Sequence, residues 1–176
     1  LSRALAPVIL ICGLLLAGCG FEPLYGERNQ AVATERLLNR VAVPPIENRV
    51  GQLARIELTN RLTPTRPAPT PLFTLNVKLG ESKTNLAVER DSSATRANLT
   101  IDAAFELKRI SDGAKLTSGS VRSVNSYNIL QSDFATLAAE QNARRRGAKD
   151  VADGIIDRLA IYLRRNQDTL LTGQAR

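Results

Sequence analysis

The sequence predicts an α+β fold, with two helices packed on one face of a roughly four-stranded, mainly antiparallel sheet. Three observations carry that prediction. Two segments alternate apolar and polar residues with a period of two: Phe73, Leu75, Val77, Leu79, and then Leu99, Ile101, Ala103, Phe105, Leu107. Two others repeat apolar residues at helical spacing, from Val50 to Leu62 and from Phe134 to Leu163. Asp112-Gly113 is a strong hairpin signal after the second alternating segment.

In chain order, the first residues read as an address. Arg3 is followed by an uncharged, mostly apolar run from Ala4 to Gly18. That is short for a membrane span of about 20 residues and suits the apolar region of a signal peptide. It ends in Leu16-Ala17-Gly18-Cys19, the lipobox pattern. Small residues let the chain lie extended in a protease groove. The Cys19 thiol takes a diacylglyceryl group, and cleavage before it frees an amine for further acylation. More than one acyl chain makes the anchor stable. Residues 1–18 are therefore expected to be a lipoprotein signal peptide. Residues 19–37 are expected to be a lipidated tether, 38–166 a single domain and 167–176 a tail. Gly20, where an Asp would favour inner-membrane retention under the enteric-type rule, permits the outer membrane.

Pro23 and Gly26 mark a tether or turn, and Phe21 to Leu37 is otherwise mixed. Val41 to Ile46 reads as a short edge strand, stopped early by Pro44 and Pro45. Asn48 can cap the helix whose stripe is Val50, Leu53, Ala54, Leu58 and Leu62. Pro64, Pro67, Pro69 and Pro71 make a stiff connector. The two alternating strands have polar opposite faces, Thr74, Asn76, Lys78 and Thr100, Asp102, Glu106, so each is covered on one side only. Asn85 to Glu89 extends the first of them, ahead of a polar turn from Arg90 to Ser93. A further strand runs from about Leu116 to Tyr127, irregular enough for a bulge or an exposed edge. Ser132 caps the last helical region, in which Phe134, Leu137, Ala138, Ala148, Val151, Ile155, Leu159 and Leu163 keep helical spacing. Gln141 to Gly147 is a polar waist, which allows one long helix or two kinked near Gly147.

Composition excludes much chemistry. Of 176 residues none is His, so the usual His-based nucleophile pairs and zinc sites are absent. The two cysteines, Cys12 and Cys19, cannot staple the rest of the chain. Aromatics are only 4%, too few for the stacking platforms that grip single-stranded nucleic acid. Serines have no base beside them in any recognisable motif, and no glycine-rich phosphate loop follows a strand. Asp150, Asp153 and Asp157 share a helix face, but Lys149 and Arg158 beside them point to a solvated, charge-mixed surface. No enzyme activity, cofactor or metal is expected. The net charge of +7 singles out Lys83, Arg90, Arg96, Lys115, Arg144, Arg145 and Arg146 as candidate contacts. For an exported protein the fitting partners are lipid phosphates or an acidic protein surface, with no nucleic acid. General solubility accounts for the same charges.

Several motifs follow one another in a set order: Cys19-Gly20-Phe21-Glu22-Pro23-Leu24-Tyr25-Gly26, Val43-Pro44-Pro45-Ile46-Glu47-Asn48-Arg49 before a helix, and Asp91-Ser92-Ser93-Ala94-Thr95-Arg96 before a strand. Ser126-Tyr127-Asn128, Ser132-Asp133-Phe134-Ala135 and the closing Leu159 to Leu163 continue the series. On these motifs the chain resembles the lipopolysaccharide (LPS)-assembly lipoproteins of the LptE family, in an alphaproteobacterial form. Their order and spacing carry the resemblance over nearly the whole mature chain. It implies a lipid-anchored protein on the periplasmic side of the outer membrane. Such a protein plugs the LptD β-barrel in a one-to-one complex, supports barrel assembly and has LPS as a further contact. The family chemistry is binding, without catalysis. The chain departs from the family in its strong basicity and few aromatics. The competing reading is an accessory lipoprotein of another envelope system, such as a lipid-trafficking ABC transporter or a secretin.

Overall fold

The computed structural model describes residues 24–64, 69–88 and 94–172. The leader, Cys19, Arg90 and most of the Arg90–Arg96 turn lie outside the described residues. The chain divides into two compact units, Leu1–Val32 and Ala33–Arg176. The described part of the first is helical, the beginning of α1 (Leu24–Leu38). The sequence reading gave a tether or turn here. The helix still tolerates Gly26, which comes within its first turn and costs only about 1 kcal/mol relative to Ala.

The second unit holds the sheet and the other helices. After α1 come β1 (Val41–Ala42), α2 (Asn48–Leu62), β2 (Phe73–Val88), β3 (Ala94–Arg109), β4 (Lys115–Asn128) and α3 (Asp133–Thr172). The sheet order is β1-β2-β3-β4, with β1 parallel to β2 and the rest antiparallel. This is the α+β fold expected from the patterns, with α1 as a third helix. Lys115–Asn128 is an edge strand, and the register slips between Leu107 and Lys108.

Local chemistry places the elements. Asn48 adopts φ 63° and its Oδ1 accepts the Gly51 N–H at 2.8 Å, so Asn48 is the working N-cap of α2. A Cβ on Gly51 would stand 2.6 Å from Ile46 Cγ2, so only glycine lets the Pro-Pro-Ile segment fold back on the helix. Ser132 Oγ lies 3.4 Å from the Ala135 N–H at the start of α3. The β3–β4 turn has Gly113 at φ 70°, and Asp112 Oδ1 accepts the Ala114 N–H at 3.0 Å. That bond, with help from Arg109, holds the Asp112 carboxyl below its ordinary pKa.

The inner sheet face carries Phe73, Leu75, Leu99, Ile101, Ala103, Phe105 and Leu107, all buried. Val50, Ala54, Leu58 and Leu62 of α2 and Ala148 to Leu170 of α3 close that core. The apolar stripe of α2 and that of α3 from Ala148 onward thus face the alternating strands. α3 is one continuous helix through Gly147, at which a Cβ would meet Ile101 Cδ1 at 2.7 Å. It runs on to Thr172 and buries Leu170, beyond the residue at which the sequence suggests a tail.

Candidate functional site

Where β2 outruns the apolar core, its inward positions become Glu81 and Lys83. The polar waist of α3 lies against them. Arg144 makes a two-pronged contact with Glu81, Nε to Oε2 at 2.8 Å and Nη2 to Oε1 at 2.7 Å. Its Nη2 also donates to Glu140 Oε1 at 2.7 Å, and Lys83 Nζ donates to the same oxygen at 2.6 Å. Tyr127 OH lies 3.4 Å from Glu140 Oε2. Two acids and two bases thus neutralise one another, with Arg144 only 15% and Glu140 16% exposed. The hydrogen bond from Lys83 first, then Arg144, lowers the Glu140 pKa. Glu81 chiefly raises that of Arg144. Burial first, then the Glu140 charge, raises that of Tyr127.

Beside this group, Asp150 Oδ2 accepts from Ser123 Oγ at 2.8 Å and Asn125 Nδ2 at 3.0 Å. Arg146 donates to Asn125 Oδ1 and to the Ser126 carbonyl, both at 3.2 Å. Arg145 is exposed and bonds Asn142 of its own helix. Asp153 pairs with Arg61 of α2 at 2.5 Å and with Lys149 at 3.2 Å. The acidic helix face therefore ties α3 to β4 and to α2. Among the described residues, no group of three His, Cys, Asp or Glu is placed to hold a metal.

The candidate cations do not converge. Lys83 and Arg144 lie on the inner face, their charge matched within the fold. Arg96 is exposed on the outer face, opposite Asn128. Lys115 is at the far end of the sheet, 3.6 Å from Glu106. From Lys83 (opposite Leu99) to Lys115 (opposite Lys108) is nine residues along β3, about 30 Å of strand.

Two surfaces escaped the sequence reading of candidate sites or were only half seen in it. The outer sheet face has no helix on it among the described residues. It carries Thr74, Asn76 and Lys78, then Asn98 and Thr100, then Ser118, Ser120 and Ser126. Asp102 and Arg122 pair across it at 2.6 Å, a bond that raises the Arg122 pKa. The second surface is apolar. Phe134 is 82% and Leu137 51% exposed, with Leu130 nearby in sequence also exposed. Both helix residues keep the helical spacing read in the sequence, yet neither is buried. At ~100° per residue they sit about 140° and 160° around α3 from Ala139, which packs with Ala143 on Ala97, Leu99 and Tyr127. Measuring the helix angle from the alanines, the residues small enough to approach a sheet, is the signal that would have found this.

No helix among the described residues is long and apolar enough to cross a membrane. The family described as LptE, lipopolysaccharide-assembly, matches residues 38–159. No curated protein matches in sequence. Among solved structures, a candidate lipoprotein from Caulobacter crescentus CB15 aligns with TM-score 0.66 at 22% identity, over 76% of this chain and 97% of that one. A minor lipoprotein from Acinetobacter baumannii gives TM-score 0.54 at 14% identity, over 70% and 92%. The rare lipoprotein B from Shewanella oneidensis gives 0.52 at 12%, over 68% and 92%. These likenesses establish a shared fold.

Proposed function

The chain belongs to the LptE family of lipopolysaccharide-assembly proteins, and on that premise we propose that it is an outer-membrane lipoprotein, anchored through acylated Cys19, that plugs the LptD β-barrel and supports its assembly. The observation that carries the plug reading is the bare outer face of β2, β3 and β4. A face mainly of threonine, serine and asparagine, with charges matched as Asp102–Arg122 and as Glu106 with Lys108 and Lys115, stays hydrated and offers hydrogen bonds in register. It suits the water-lined wall of a barrel, where a greasy face would be stranded. The role is binding, without catalysis.

Contacts with LPS phosphates or the barrel wall fall first to Arg96 and Arg145, exposed and with no side-chain bond to a carboxylate or to another element among the described residues. Arg146, equally exposed and without a carboxylate, is held by Asn125 and the Ser126 carbonyl of β4. Arg146 and Lys115 follow, and Arg90 of the turn belongs with Arg96. Lys83 and Arg144 hold the helix to the sheet and reach a partner only by leaving Glu81 and Glu140.

The test is purification of the lipidated full-length protein in mild detergent. The expected result is a one-to-one complex with a large, heat-modifiable β-barrel, and a photocrosslinker at Ser120 or Thr100 that labels that barrel. Recovery without a barrel, or crosslinks only to soluble or inner-membrane components, would sink the reading. Charge reversal at both Arg90 and Arg96 is expected to weaken LPS binding. Unchanged binding and barrel recovery would remove the turn from the contact surface.

A further inference from the structure

Unpaired N–H and C=O groups along a sheet edge recruit further strands unless something guards them. The two edges of this sheet end differently. On the β4 side Arg146 caps the Ser126 carbonyl at 3.2 Å. On the β2 side the edge is covered at one end by β1. The Phe73 N–H donates to the Arg40 carbonyl at 3.2 Å. The backbone groups of Phe73 therefore point outward to this edge, and so do those of Leu75, Val77 and Leu79.

In the parallel ladder set by Val41↔Phe73 and Ala42↔Thr74, the next rung needs the N–H of residue 44 for the Leu75 carbonyl. Residue 44 is proline and has no N–H, and residue 45 is proline too. The ladder stops, and Val77 and Leu79 have no strand partner on this side among the described residues. The chain from Pro44 to Asn48 turns away, leaving a groove of about 620 Å³ against Leu75–Leu79. Val77 and Leu79 face the helices but are only half-buried, while Leu75 before them and Phe105 and Ala103 opposite them are buried. On the opposite face of the same stretch, Lys78 is exposed and pairs with no carboxylate among the described residues.

We propose that this edge is a strand-addition site for an extended segment of a partner protein. The segment carries aliphatic side chains where it flanks Val77 and Leu79, and an acidic side chain opposite Lys78. Main-chain hydrogen bonds supply the grip, and the half-covered aliphatics and the unmatched ammonium supply the preference. The site is independent of the plug reading, because a sheet edge binds backbone and needs no barrel.

The experiment uses the full-length protein in detergent and a capped synthetic peptide, Thr-Val-Glu-Val-Thr, with amide hydrogen exchange as readout. With peptide at about ten times its dissociation constant, exchange at the Val77 and Leu79 amides is expected to slow about tenfold. Asn76 and Lys78, whose amides point to β3, should not change. Val77→Pro removes an edge N–H without removing a β2–β3 rung and should abolish the effect. Lys78→Glu should weaken this peptide about two- to fivefold and favour its Glu-to-Lys counterpart. If Val77→Pro disturbs the Asn76 and Lys78 amides, the charge swap decides alone. The proposal fails if the two edge amides keep their free rates at the highest soluble peptide concentration. It fails too if a peptide N-methylated at alternate amides protects them equally. Protection that grows with protein concentration alone overturns it in favour of a second copy.

Discussion

Helix α3 meets one sheet in two ways. From Ala148 to Leu170 its buried side chains are apolar and close a continuous core with Phe73, Leu75, Ile101 and Leu107, with Asp150 and Asp153 adding polar ties at the margin. From Glu140 to Arg146 it meets the same sheet through the Glu81–Arg144–Glu140–Lys83 group, over a small satellite of Ala97, Leu99, Tyr127 and Ala143. Apolar burial is nondirectional and scales with area, so the first half supplies stability. A two-pronged Arg–carboxylate contact is directional, so the second half fixes where along β2 the helix sits. Partly buried ion pairs add little net stability, yet removing one partner is costly.

That contrast can be broken at several points. Leu159 is fully buried, and Leu159→Ala should cost about 2–5 kcal/mol, read as a lower urea midpoint with unchanged slope. Arg144→Met strands Glu81, leaves Glu140 with Lys83 alone, and should cost about 1–3 kcal/mol. Adding Glu81→Gln should return part of that, with a coupling of about 0.5–3 kcal/mol in the double-mutant cycle. Strict additivity would mean that the charged half does not act as a unit.

The pH response should be smaller. Glu140 has its pKa lowered in the fold relative to the ordinary 4.5. Its contribution is complete above the unfolded value and is lost as pH falls through the folded one. Thermal unfolding between pH 7 and 3 should therefore show a shallower acid loss in Glu140→Gln than in the parent, by about 1 kcal/mol or less. Equal slopes would remove Glu140 from the acid response. Smallest of all, Phe134→Ser should move stability by no more than about 0.5 kcal/mol. A large drop in the unfolding midpoint would show that the exposed ring is packed in solution.

The apolar half was legible in the sequence because one side chain per turn reports its own burial. The stripe Val151, Ile155, Leu159, Leu163 and the alternation from Leu99 to Leu107 each announced a face. The charged half was not. Arg144 looked like a phosphate ligand beside Arg145 and Arg146, but its partner Glu81 is 63 residues away. The one local hint is Glu140 four residues earlier, and that spacing does not reveal the contact with β2. Phe134 misled for a related reason: helical spacing shows that a face exists, and only the alanine contacts show which face the sheet takes. Gly26 and Pro23 suggested a turn where α1 forms, because weak local preference yields to context.

The sequence by itself determined the element types from β1 onward, the Asn48 cap, the Asp112-Gly113 turn, the prolines that stop β1 and the family. These depend on neighbours within a few residues, where backbone sterics and hydrogen bonding act. Only the tertiary structure decided which cations are matched, that α3 passes unbroken through Gly147, that Phe134 and Leu137 stay outside the core, and that β2 runs on past β1 with an open edge. Those depend on strand order and on charges that meet across long loops, and no local rule of side-chain periodicity carries that information.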